Sequence, residues 1–290
     1  MLPRTDSDLR LALPKGRMHD GILALLSEAG IRMGTSARGY RPSVSLADVE
    51  TKILKPQNIL EMLDAGTRDV GFAGADWAAE LKADVVEVLD TGLDRVRIVA
   101  AAPRAMLEGG TLPRRPLVVV SEMERLARAW AVARGCDDRF IRSYGATEVF
   151  PPEDADVIVD VAASGATLEA NGLAIVETLL HSSTRLYASR AAMVDRAKRE
   201  RVEALAMLLG SVLEARKRVM LELNVPAARL EAIVAVLPCM REPTVSRLHA
   251  DAGYAVKSAV PKDAIAALIP RLKAAGGSDI VISPISQVVP

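Results

Sequence analysis

The chain has 290 residues, half of them hydrophobic, and its 37 lysines and arginines balance 37 aspartates and glutamates. That length favours about two domains with a sizeable core, while neutral charge and 3% aromatics argue against a general nucleic-acid binder or a stacking platform for single strands. Two distant cysteines, Cys136 and Cys239, and three scattered histidines offer no disulfide framework and no zinc or histidine cluster; no apolar run has secretory or transmembrane character, so a cytoplasmic protein is the default expectation.

In chain order, Leu9–Leu13 reads as a short strand, Pro14–Arg17 as a polar break, and Gly21–Ala29 as a helix closed by Gly30. Ile59–Ala65 reads as a helix ending at Gly66, Asp69–Ala73 as a strand, and Asp76–Glu80 as the start of the next helix. Val85–Leu89, Val96–Ala101 and Leu117–Val120 read as three strands, and Arg125–Arg134 as a helix. Asp156–Ala162 is almost wholly apolar, as suits a strand covered on both faces. Gly172–Leu180 reads as a helix. Strands alternating with helices imply a largely parallel sheet. A long charged helix over Ala191–Arg216 acts as a connector, its opening charges a solvated face.

Beyond it the pattern changes. Arg218–Asn224 reads as a strand, Ala227–Val236 as a helix, Thr244–Leu248 and Tyr254–Val260 as strands, Lys262–Ala275 as a helix closed by Gly276-Gly277, and Asp279–Ser283 as a final strand. That β-α-β-β-α-β order is the split βαβ, ferredoxin-like plan.

The most informative segment joins strand Asp156–Ala162 to Ser164-Gly165-Ala166-Thr167. Ligands of open α/β sheets sit beyond the carboxyl ends of strands. Small residues there let backbone N–H groups approach a phosphate, and Ser164 and Thr167 add hydroxyls. Asp160 is a carboxylate inside an apolar strand, which is costly unless hydrogen-bonded or facing a ligand; vicinal ribose hydroxyls would suit it. The residues alone equally admit an ordinary strand–helix junction with Thr167 as N-cap and Asp160 satisfied internally.

The stretch DVIVDVAASGATLEANGL, Asp156–Leu173, resembles the signature of the ATP phosphoribosyltransferase family, roughly D-x-I-x-D-x-x-x-[ST]-G-x-T-L-x-x-N-x-L. Further resemblances are LALPKGR (Leu11–Arg17), DVGFAGAD (Asp69–Asp76), GATE (Gly145–Glu148), and, in the C-terminal part, Leu237-Pro238, Glu242-Pro243-Thr244 and Ser278–Ile285. The family usually has Ser-Thr-Gly or Glu-Thr-Gly where this chain has Ala163-Ser164-Gly165; Val149–Ala155 is shorter and more acidic than usual, and Leu93–Ile98 lacks the usual residues.

The resemblance implies an α/β fold: two catalytic lobes like those of periplasmic binding proteins, plus a C-terminal ferredoxin-like (ACT-like) regulatory domain. On this chain the lobes correspond to 1–92 with 187–214, and to 93–186; the regulatory domain corresponds to 215–290. It implies condensation of ATP with 5-phosphoribosyl pyrophosphate, feedback inhibition by histidine, dimers to hexamers, and Mg2+ held mainly by substrate phosphates. By position, Ser164, Gly165, Ala166 and Thr167 would hold the 5-phosphate, with Leu168 opening the helix behind them. Asp160 would hold the ribose hydroxyls, and Glu148 would make a further polar contact near them with a catalytic role. Lys15, Gly16 and Arg17 would face pyrophosphate or ATP, Arg17 with a catalytic role; Gly74 and Asp76 would border the nucleotide, and Lys55 and Arg97 would line the same anionic cleft. Asn224 and Thr244 would contact histidine. Plainer readings are a solvated turn for 15–17, an N-cap for Asp76, and strand-end turn chemistry for Asn224 and Thr244. The different-class alternative is a catalytically silent cytosolic small-molecule sensor on the same scaffold.

Overall fold

The computed structural model describes residues 8–34, 39–135, 138–240 and 242–289. Residues 1–7 of the N-terminal segment and Cys136 lie outside the described residues; Cys239 is a free thiol. The chain divides into two units, Met1–Ala206 and Met207–Pro290.

The first unit opens with strand β1 (Leu9–Pro14), five of whose residues are buried, and helix α1 (Met18–Glu28), which buries Met18, Ile22, Leu25 and Leu26 along one stripe. There follow β2 (Val49–Leu54), α2 (Pro56–Asp64), β3 (Val70–Gly74), α3 (Ala75–Leu81) and the long β4 (Val85–Pro103). Next come β5 (Val118–Ser121), α4 (Glu124–Ala133), β6 (Arg139–Arg142), β7 (Val157–Ala162), α5 (Ala166–Ala170) and the second long strand, β8 (Leu173–Ser189). Helices α6 (Arg190–Val194) and α7 (Arg196–Ala215) close the series; the division between units falls inside α7.

One eight-stranded sheet runs in the order β2-β1-β3-β8-β4-β7-β5-β6. Its two flanks are parallel, β1 with β2 and β3, β5 with β6 and β7. Its middle is antiparallel, β8 with β3 and β4, and β4 with β7. The expected largely parallel sheet is therefore corrected to a mixed one. Two strands expected at Val85–Leu89 and Val96–Ala101 are one continuous β4, with register shifts between Glu87 and Val96 opposite β8.

The expected helix at Gly172–Leu180 is corrected to the first half of β8. An apolar run such as LAIVETLL carries no decisive period; its pairing with Ala100–Pro103 of β4 decides the matter. The expected single helix over Ala191–Arg216 is broken at Asp195, whose backbone is extended (φ −69°, ψ 116°). Strands β2 and β6, short and polar (VETKIL and RFIR), had no sequence expectation.

The second unit holds β9 (Arg218–Val225), α8 (Leu230–Val234, entered through a 3₁₀ turn), β10 (Thr244–Arg247), β11 (Tyr254–Pro261), α9 (Ile265–Ala274) and β12 (Ser278–Pro284). Its antiparallel sheet has the order β10-β11-β9-β12, the ferredoxin-like arrangement expected from the sequence. Along β9 burial alternates: Val219, Leu221, Leu223 and Val225 join Ile233, Leu268 and Leu272 in the core, leaving Met220, Glu222 and Asn224 on the other face.

Candidate active site

The parallel strands of the first unit end in candidate residues. Lys15–Arg17 follow β1, Lys55 follows β2, Asp76 follows β3, Glu122 follows β5, and Ala163–Thr167 follow β7. Local hydrogen bonds fix these ends. The Lys15 N–H donates to the Leu54 carbonyl (2.9 Å), bringing the basic turn beside Lys55, and the His19 Nδ1 lies 2.9 Å from the Pro14 carbonyl. Ser121 Oγ donates to the Val159 carbonyl (2.6 Å) and accepts from the Met123 N–H (2.9 Å), tying the β5 turn to the strand residue just before Asp160. Buried Glu80 of α3 accepts from the N–H groups of Arg125 (2.8 Å) and Leu126 (2.9 Å), so α3 caps α4 across the two flanks.

Two adjoining depressions result. One, of about 190 Å³, is lined by Glu148 and the whole stretch Asp160–Leu168. The other, of about 330 Å³, is lined by Lys15, Gly16, Arg17, Lys55, Trp77 and Glu122 among others. Asp160 and Val161 border both.

The loop is built for close approach. Gly165 adopts φ +88°, ψ 0°, a left-handed conformation that glycine takes without a Cβ penalty, and a Cβ there would lie 3.4 Å from Ile175 Cδ1. Gly165, not Thr167, occupies the N-cap of α5, so the plain reading of Thr167 as a cap is set aside; Thr167 lies in the first turn, exposed like Ser164. Ser164 Oγ accepts from the Ala166 N–H (3.3 Å).

Asp160 is half-buried, and burial pushes its carboxyl up to about 6. The Val161 N–H, donating at 2.7 Å, and the Thr147 hydroxyl pull the other way, while Glu148 and Glu122 add repulsion. Across the shared border the second depression is cationic: Lys15, Arg17 and Lys55 are exposed, and none makes an ion pair among the described residues. Like charges gathered without partners repel, and a polyanion relieves that repulsion.

Other sequence-derived residues lie apart. Asp76 is 3% exposed; its Oδ1 accepts from Ser182 Oγ (3.0 Å) and its N–H donates to the same oxygen (3.0 Å). It stands two places past the N-cap Gly74, where a Cβ would fall 2.0 Å from Asp76 Oδ1, so a side chain there would displace that carboxyl from Ser182. Neither residue is among those lining the two depressions. Arg97, half-buried on β4 opposite Ala162 and His181, has no side-chain hydrogen bond or ion pair among the described residues. In the second unit, Asn224 Nδ2 donates to Asp279 Oδ2 (3.1 Å), and the Asn224 and Ser278 donors hold that carboxyl below its usual range. Thr244 pairs with Lys257, two strands away from Asn224 with β11 between them. Trp77 and Glu122 were reached by no sequence argument; the only signal was their position just past the ends of β3 and β5.

Fold and site together define an α/β protein with a small-residue loop at the carboxyl end of a sheet strand and a ferredoxin-like unit after it. The family model for ATP phosphoribosyltransferase matches residues 55–211, and that for the HisG C-terminal domain matches 215–287. An ATP phosphoribosyltransferase of Chlorobium luteolum is 36% identical over 286 residues, 97% of each chain. That of Pelotomaculum thermopropionicum is 36% identical over 287 residues, 97% of this chain and 99% of its own. The solved ATP phosphoribosyl transferase (HisG:HisZ) complex of Thermotoga maritima shares the fold, with a TM-score of 0.63 at 24% identity over 71% of this chain and 98% of that one. The chain belongs to the ATP phosphoribosyltransferase family, in its long form with the C-terminal domain, and is an enzyme of the phosphoribosyltransferase class.

Proposed function

We propose that the protein condenses ATP with 5-phosphoribosyl pyrophosphate, giving N1-(5-phosphoribosyl)-ATP and pyrophosphate, as the first step of histidine biosynthesis in the cytoplasm. The observation that carries the assignment of sites is the shared border of the two depressions at Asp160: a loop suited to phosphate on one side, three unpaired cations on the other. Ser164–Thr167 hold the 5-phosphate and Leu168 anchors the helix behind them. Asp160 accepts from the ribose hydroxyls, with Glu148 beside it. Adenine N1 attacks the anomeric carbon, the bond to pyrophosphate breaks, and the leaving oxygen takes the electron pair. Lys15, Arg17 and Lys55 stabilise that growing charge; holding two polyanions in line supplies most of the rest.

Mg2+ is a hard cation that takes oxygen ligands. It would be held mainly by substrate phosphates, with Asp160 and Glu148, which line the loop's depression, offering carboxylate oxygens, and it would neutralise phosphate charge. Arg97 is a reserve cation for the same cleft. Gly74 and Asp76 serve by shaping the β3–α3 junction that carries Trp77, rather than by direct contact. Histidine inhibits through the second unit, with Asn224 and Thr244 as contacts and dimers to hexamers as the assembly.

The test is absorbance on mixing the protein with ATP, 5-phosphoribosyl pyrophosphate, magnesium and pyrophosphatase. Phosphoribosyl-ATP should accumulate; its absence under those conditions refutes the reading.

A further inference from the structure

The cationic depression also has an apolar wall. Trp77 of α3 lines it together with Met18 of α1, Pro56 of α2 and Met123 of the β5–α4 turn. Trp77 is half-buried and packs against core residues of both flanks of the sheet, so its ring is held firmly. Its indole N–H has no hydrogen-bond partner among the described residues. The other tryptophan differs: Trp130 is 7% exposed and its Nε1 donates to Glu177 Oε2 at 2.7 Å.

An aromatic ring with a free polar edge, set on the wall of a cavity, is a surface waiting for a flat partner with both a π face and hydrogen-bond acceptors. A purine has both. The three unpaired cations in the same depression add a phosphate chain to that description. We propose that Trp77 is the platform on which the adenine of ATP is held, and thereby a specificity-determining residue for purine over pyrimidine triphosphates. The inference rests on the ATP phosphoribosyltransferase reading above. Thioether and prolyl surfaces of Met18, Met123 and Pro56 line the same depression, and Glu80 joins α3, which carries Trp77, to α4, which Met123 precedes.

The experiment has two arms on the full-length protein. In Trp130→Phe, fluorescence comes from Trp77 alone. Saturating ATP without the second substrate should quench it, and pyrophosphate at equal concentration should not. In the kinetic arm, Trp77→Leu should raise KM for ATP about tenfold, the scale of one base–aromatic stack, with KM for 5-phosphoribosyl pyrophosphate changed less than about twofold; Trp77→Phe should restore most of the loss. Should Trp77→Leu not fold, Trp77→Phe with a modest, ATP-confined rise and the quenching arm still decide. Unquenched Trp77 at saturating ATP in a protein that turns over, or equal shifts in both KM values, overturns the platform. Quenching by ATP in a protein that makes no phosphoribosyl-ATP keeps the platform and sinks the reaction; no quenching and no product sinks both.

Discussion

A carboxyl group lifted to about 6 is a proton switch close to physiological pH, and Asp160 is one. Its folded pKa lies above the unfolded value of about 3.9. The folded state thus keeps a proton between those values that the unfolded chain has released. The group weighs against folding fully above pH 6 and not at all below the unfolded pKa. Lowering the pH from 7 to 5 should therefore stabilise the first unit, by roughly 1 kcal/mol from this group. Function should move the opposite way, because only the ionised form accepts from both ribose hydroxyls. We expect kcat/KM for 5-phosphoribosyl pyrophosphate to fall as the pH drops through about 6. In Asp160→Asn that inflection should vanish and kcat/KM at pH 7 should drop about a hundredfold or more, the loss of two charge-assisted bonds, while Tm at pH 7 holds or rises. Near-normal turnover, or a collapsed Tm, would refute the assigned role. At this scale the loop was legible because the family motif is contiguous: Asp160 to Thr167 fall within eight residues. Trp77 and Glu122 were not, since a residue past a strand end has no meaning until the strands are placed side by side.

Among the elements, β1, β3 and α7 meet at one buried charge. Asp69, 1% exposed, accepts from Arg10 Nε (2.9 Å), Arg10 Nη2 (2.7 Å), the Arg10 N–H (2.8 Å) and Lys198 Nζ (3.2 Å). Burial pushes its carboxyl up, but the Arg10 and Lys198 donors outweigh this and leave it below the usual range. A lowered folded pKa contributes stability that is present above about 3.9 and is lost as pH falls through the folded value. Asp69→Ala should cost about 3–5 kcal/mol, since it strands two cations in a largely buried place; chemical denaturation of the first unit checks it, and a loss under about 1 kcal/mol would show the network to be dispensable. Element identity was legible where period and length agreed, as in α1 or the alternating β9. It failed for Gly172–Leu180, where a run of mixed apolar residues fits either state and β4 supplies the missing partner.

For the whole molecule, the chain after Ala215 forms a unit with its own core, built from Val219, Leu221, Leu223, Ile233, Val256 and Leu272. The family model for the C-terminal domain begins at 215, where α7 ends. A chain cut after Ala215 keeps α7 whole; we expect it to retain phosphoribosyl-ATP formation and to lose inhibition by histidine, measured in the same absorbance assay. Undiminished inhibition would place the effector site in the first unit. No helix among the described residues is long and apolar enough to cross a membrane. By itself the sequence determined the α/β class, the ferredoxin-like order of the last strands, the family, and the place of the loop after β7, because each is written in local period or in a contiguous motif. Only the tertiary structure decided that β4 and β8 run antiparallel through the middle of one sheet, that Asp76 turns to Ser182, and that Trp77 lines one depression with Lys15, Arg17 and Lys55. Those facts depend on which strands become neighbours, and strand pairing joins residues tens of positions apart through backbone groups that every residue carries alike.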